Sequence, residues 1–198
     1  MTHGVGAAAA LAGFVILLWQ SIWHGSPLHT VATTIYGATL VACYLGSTGY
    51  HLSIGSAVNR LFLVVDHCCV YLLIAGTYTP FMLLTLRGVL GFVMLGAIWL
   101  LAAAGIVYKI LVRQPSEPLS LSLYALMGWL IVVSIGPFIR AIDTRGLVLV
   151  LAGGLSYTTG IAFYAWKRLP FGHTIWHLFV LAGSAFHYLA VLLHVGPA

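Results

Sequence analysis

Apolar residues run along this chain in long blocks with short polar interruptions, not in the two-residue alternation of a half-buried strand or the narrow stripe of a soluble helix. Seven such blocks stand out, at roughly 5 to 23, 31 to 51, 61 to 84, 88 to 108, 119 to 139, 147 to 165 and 174 to 195. A helix needs about 20 predominantly apolar residues to cross a bilayer. The pattern therefore predicts an all-α integral membrane protein, a bundle of seven transmembrane helices forming one domain over 1–198, with short connections and no room for a soluble domain or linker.

Composition agrees with the pattern. Of 198 residues, 62% are hydrophobic and 6% charged, and the mean hydropathy is +1.07, which excludes an ordinary water-soluble domain. The first block, in "MTHGVGAAAALAGFVILL", has no Lys or Arg before it, so it lacks the basic segment of a cleaved signal peptide and is expected to be retained. Cys43, Cys68 and Cys69 fall inside expected spans, which argues against a disulfide framework. The small-residue runs at 102 to 105 and 153 to 160 are expected to let helices approach closely.

Basic residues set an expected orientation. Arg60, Lys109, Arg113, Lys167 and Arg168 fall in connections on one side, and Arg87, Arg140 and Arg145 on the other. Five against three predicts a cytoplasmic N-terminus and, with seven spans, an outside C-terminus. The net charge of +5 suits anionic lipid headgroups and calls for no nucleic acid.

Ionisable side chains inside spans mark functional sites. Glu117 and Asp143 are expected in connections, leaving Asp66 as the one intramembrane carboxylate. His3, His24 and His29 are assigned to terminal or loop segments, and His51, His67, His173, His177, His187 and His194 to spans. Counting the spans brings His51, Asp66 and the pair in "FGHTIWHLFVLAG", His173 and His177, to one level on the side called cytoplasmic. Residues four apart share a helix face, so both imidazoles of the pair point one way. His187 lies about 15 Å deeper than His177 at 1.5 Å per residue, and His194 is near the opposite face.

Three imidazoles from two helices with a carboxylate from a third suit zinc, and three histidines with an open fourth position for water is a catalytic arrangement. Asp66 is placed to orient a ligand or accept that water's proton, and Ser47, one turn before His51, to hydrogen-bond in the same region. A histidine pair at this spacing is by itself a weak signal, compatible with hydrogen bonding between helices. Haem ligation is a rival, although two histidines one turn apart serve a single metal better than two haem faces. Thr174 stands where an HExxH zincin has its glutamate, so that mechanism does not transfer. His67 and His187 read as helix-packing or pore-lining residues, and Tyr71 and Tyr78 as interface and core packing.

The stretches "GSTGYH" (46 to 51), "DHCCVYLLIAGTYTPF" (66 to 81), "LMGWL" (126 to 130) and the segment from 153 beginning "GGLSYTTGIAFYAWKRLPFGHTIWHLF" closely resemble the bacterial hemolysin III branch of the progestin and adipoQ receptor family. The resemblance covers nearly the whole chain. It implies a seven-helix bundle with its N-terminus inside, opposite to G-protein-coupled receptors, and a zinc site near the cytoplasmic leaflet. By motif, the zinc positions carry over to His51, His173 and His177, and Ser47 and Asp66 match the other two polar members of the site. The family is related to alkaline ceramidases. One departure is that Leu63, Val64 and Val65 stand where relatives often have basic residues.

Two classes of function follow. One is a zinc-dependent hydrolase of membrane-lipid amides or esters, acting in lipid homeostasis with Asp66 and Ser47 as catalytic groups. The other is non-enzymatic: a sensor or receptor with structural zinc, or a pore-forming hemolysin. The expected partners are membrane lipids, with no soluble partner evident, in a multi-pass protein of the bacterial inner membrane.

Overall fold

A computed structural model describes residues 2–166 and 168–195; Lys167, counted above for orientation, lies outside the described residues. Among the described residues, eight α-helices make up seven candidate spans: α1 (Thr2–His24), α2 (Pro27–Leu52), α3 (Asn59–Pro80), α4 (Gly88–Leu111), α5 (Glu117–Gly128), α6 (Ile135–Ala141), α7 (Thr144–Ala165) and α8 (Gly172–His194). No strand occurs among the described residues. With no water to satisfy free backbone groups, helices keep all their hydrogen bonds internal, which is why each apolar block takes this form.

The helices follow one another around the bundle, and α1 meets α8 to close it. The core is built from Tyr36, Tyr71, Ile98, Met127 and Phe138, while Val5, Trp19, Leu100 and Leu193 face outward. Apolar side chains on both faces are what a bundle surrounded by lipid requires. The small residues act in packing: Gly153 and Gly160 of α7 lie against His187 and Trp176 of α8, and Gly105 of α4 lies against the Tyr71 ring. All three cysteines are free thiols.

The fifth span departs from the continuous helix expected at 119 to 139. It breaks between α5 and α6 into a tight 3-10 stretch, Leu130–Ser134. Pro137 explains the break, since a proline has no N–H and its ring clashes with the carbonyl four residues back, here Val133. The Tyr78 hydroxyl spans the break, donating to the Gly128 carbonyl at 3.0 Å and accepting from the Ile131 amide at 2.8 Å.

Several polar residues sit elsewhere than the sequence suggested. His3 and His29 are buried in the first turns of α1 and α2, not in loops. Glu117 opens α5, and Lys109, counted with a connection, is buried in the last turn of α4. The reason is shared: the helices extend past their apolar blocks, so polar residues at the margins become part of the bundle.

At the end opposite His51, Asp143 caps α7 by accepting from the Arg145 and Gly146 amides at 2.9 and 3.1 Å, and it pairs with His194 Nδ1 at 2.6 Å. The Gly146 amide, followed by the His194 and Arg145 bonds, holds the Asp143 carboxyl below its ordinary 3.8. A depressed folded pKa contributes stability that is present above the unfolded value and lost as pH falls through the folded one. Asp143→Ala is therefore expected to lower the thermal midpoint at pH 7, with the deficit against the parent shrinking below pH of about 4. A deficit independent of pH in parallel melts would refute the assignment.

Candidate metal centre

One helix end and one helix start supply the centre. His51 is the penultimate residue of α2, and His173 and His177 occupy the first two turns of α8. Phe171, just before α8, has a φ of 61° in the left-handed region. A non-glycine residue held there is strained, and such strain is typical of segments whose geometry serves a site. Here it turns the chain sharply enough that α8 begins with His173 already facing α2.

The three side chains converge. His51 Nε2 lies 3.0 Å from His177 Nε2 and 3.4 Å from His173 Nε2, and the three candidate ligand atoms all lie within 4.8 Å of one another. Two nitrogens bound about 2.0–2.1 Å from one tetrahedral ion stand about 3.3–3.4 Å apart, close to both separations. A neutral imidazole has one N–H and one lone pair, so three ring nitrogens directed at one point share too few protons to satisfy one another, and a cation resolves the conflict. The donor set therefore fits a metal. The site is graded in exposure: His177 is buried, His51 half-buried and His173 exposed.

Asp66 does not join the converging trio. It lines the same cavity and is a hydrogen-bond partner of Ser47. α3 runs close to α2 at this level: a Cβ on Gly46 would stand 3.7 Å from the Asp66 Cα, in ordinary contact, and slightly tight at 3.3 Å from Cys69 Sγ. His67 also lines the cavity apart from the trio, and its carbonyl accepts from the Tyr124 hydroxyl at 3.0 Å. His187 donates from Nε2 to the Val150 carbonyl at 3.1 Å, joining α8 to α7.

Sequence reasoning missed His3. Its Nδ1 is 2.7 Å from Ser47 Oγ, and its ring meets that of His177 edge to face with centroids 3.7 Å apart. An ionised Asp66 only accepts, so the Ser47 proton goes to Asp66 and Ser47 accepts from His3 Nδ1–H. His3 thereby ties α1, α2 and α3 together at the level of the centre. It also packs on His177, whose Nδ1 is buried without a hydrogen-bonding partner. The signal was available in the span count, which puts the start of the first span on the same side as His51. Starting the block at residue 5 concealed it.

Supporting groups of this kind are worth about 10–100-fold in metal affinity. His3→Ala should therefore weaken metal binding by about that factor while leaving helix content unchanged, as read by chelator competition and circular dichroism. Unaltered affinity would show that His3 is packing alone.

The cavity that the centre faces extends along α3, α5, α7 and α8 to Trp129, Thr158 and His187, with Val70, Leu73, Ile74, Ile161 and Val180 on its walls. Gly128 and Thr158 on its rim are exposed, so it opens sideways between α5 and α7 as well as beside His173. One end gathers the ionisable groups and the length is mostly apolar, the shape of a site for an amphiphile.

Comparison with known proteins gives the lineage. Residues 1–188 match the family model described as Haemolysin-III related. The chain is 45% identical over 197 residues to Hemolysin-3 of Bacillus cereus, covering 100% of this chain and 90% of that protein. It is 39% identical over 194 residues to the Hemolysin-3 homolog of Bacillus subtilis (strain 168), covering 98% and 91%. It is also 32% identical over 201 residues to the monocyte to macrophage differentiation factor of Homo sapiens, covering 96% and 80%. Seven apolar spans and full-length bacterial relatives describe a multi-pass integral protein of the bacterial inner membrane. The chain belongs to the Haemolysin-III related family.

Proposed function

We propose that the protein is a zinc-dependent hydrolase of membrane-lipid amides or esters. The observation that carries this reading is the placement of a metal-capable histidine trio and a carboxylate on the wall of one largely apolar cavity that opens to the side. His51, His173 and His177 would hold zinc, which when bound supplies Lewis acidity toward a carbonyl and lowers the pKa of water.

The chain's own residues do the rest. The apolar walls take the acyl chain and keep bulk water away from it. Asp66 accepts a proton from the attacking water and returns it to the leaving nitrogen or oxygen, acting first as general base and then as acid. Ser47, bonded to both Asp66 and His3, fixes the carboxylate's direction. The imidazoles of α2 and α8 would hold the ion near one end of the bundle, where a lipid's head lies while its tail remains among the helices.

A sensor with structural zinc would use the same ligands without turnover. A pore is disfavoured because the cavity walls beyond the polar end are mostly apolar, Val70, Leu73, Ile74, Ile161 and Val180 among them. The deciding experiment is incubation of purified, metal-loaded protein with ceramides and with ester-linked lipids, scored by release of free fatty acid. Absence of release from all of them would leave the sensor reading.

The same reading puts the histidine end and the N-terminus in the cytoplasm, in keeping with the excess of Arg60, Lys109, Arg113, Lys167 and Arg168 over Arg87, Arg140 and Arg145. Reporter fusions after the C-terminus should be active only outside the cytoplasm. Cytoplasmic activity there would reverse the orientation.

A further inference from the structure

The cavity beside the metal centre does not end at His187. A second chamber begins there, walled by Phe81, Met82, Ile131, Phe138, Val150 and Leu151. Tyr78, Trp129 and His187 stand on the walls of both, so the two meet at one neck. All three rings of the neck are pinned: Tyr78 to the Gly128 carbonyl, His187 to the Val150 carbonyl, and Trp129 through Nε1 to Thr158 Oγ1 at 2.9 Å. A passage edged by fixed rings suits a single unbranched chain.

Two departures from regular helix frame the second chamber. The third span ends in a π-helical turn, Phe81–Leu86, which packs against α6, and the fifth span breaks at Leu130–Ser134. Irregular backbone at membrane depth occurs where it is buried in protein or lines a cavity, and π turns gather at functional sites. Here the wide turn places Phe81 and Met82, and the break places Ile131 and Phe138, around one apolar space. Protein interiors are otherwise close-packed, so an apolar space held open between two spans is completed by an apolar occupant.

Phe81 and Phe138 form its far wall, edge to face with centroids 5.8 Å apart, and with Met82 they are almost wholly buried. Phe81 stands fifteen residues beyond Asp66 along the third span, about 22 Å at 1.5 Å per residue. An extended hydrocarbon chain advances about 1.25 Å per carbon on C–C bonds of about 1.5 Å. From the level of the metal centre to the far wall is therefore the length of about 16 to 18 carbons.

We infer that the second chamber receives the tail of the lipid's acyl chain and selects chains of about 16 to 18 carbons, with Phe138 setting the limit. This rests on the lipid reading given above and narrows it from acyl amides or esters in general to those of long, unbranched chains.

The test is competitive binding of free fatty acids, the product class of either hydrolysis. Purified, metal-loaded, full-length protein in phosphatidylcholine nanodiscs is equilibrated with saturated acids of about 12 to about 22 carbons, and complexes are counted by native mass spectrometry. Occupancy relative to mole fraction in the disc should peak at about 16 to 18 carbons and fall about tenfold by about 22, the scale of an overpacked core. Phe138→Leu should move the peak up by about two carbons with metal content unchanged. Met82→Phe, which fills the same space from the third span, should move it down. Equal occupancy at all lengths overturns the inference and means that the tail leaves by the opening between α5 and α7. A peak that neither variant moves overturns it too. Binding is read without turnover, so a movable peak in a protein that hydrolyses nothing defeats the hydrolase reading and leaves this one. Hydrolysis with equal occupancy does the reverse.

Discussion

Asp66→Asn should abolish lipid turnover while the protein keeps its metal. The substitution preserves shape and one hydrogen-bond acceptor, so Ser47 retains its partner, but the amide cannot take up a proton. General acid–base catalysis contributes about 10²–10⁴-fold, and the variant should fall by that amount in rate. Metal content by elemental analysis should match the parent, because Asp66 stands outside the converging trio. Loss of metal together with activity would mean that Asp66 is a ligand. Retention of full activity would remove it from the mechanism.

Replacing His51, His173 or His177 with Ala should have a different and larger structural effect. Each change leaves two nitrogens where three converge, and metal affinity should drop by more than about 100-fold, beyond what loss of a supporting group produces. Binding to the folded state alone adds to stability, so each variant should also melt at a lower temperature, and a chelator should bring the parent to the same midpoint. The effect should be strongest at His51, which joins α2 to α8. His187→Ala should keep its metal, since its Nε2 is committed to the Val150 carbonyl. A triple alanine variant that still carries one ion per chain would place the metal elsewhere.

The architecture was legible because each apolar block is about as long as a bilayer is thick. The trio was legible for a second reason: counting spans fixes which residues share an end, and HxxxH fixes a shared face. Neither rule reports how far a helix runs beyond its apolar block. His3 and Lys109 lie in such extensions, and their places depend on what packs beside them: Ser47 and His177 in one case, an open cavity in the other. Hydropathy was equally silent on the division of the fifth span, because Leu130 to Ile135 are as apolar as the residues around them. Pro137 was the local signal, and its effect falls a turn earlier, where nothing in composition marks it.

The Tyr78 hydroxyl gives that division a practical meaning. Phenylalanine has the same outline, and at most buried positions the exchange is mild. At 78 it would strand a carbonyl and an amide of another helix in a medium that offers neither a replacement, at several kcal/mol for each. The position thus obeys a chemical requirement set by residues 50 and 53 places further along the chain. A survey of tolerated substitutions would single it out as a tyrosine that volume cannot explain, and the second change able to restore phenylalanine there is one at Pro137 that lets the fifth span run straight.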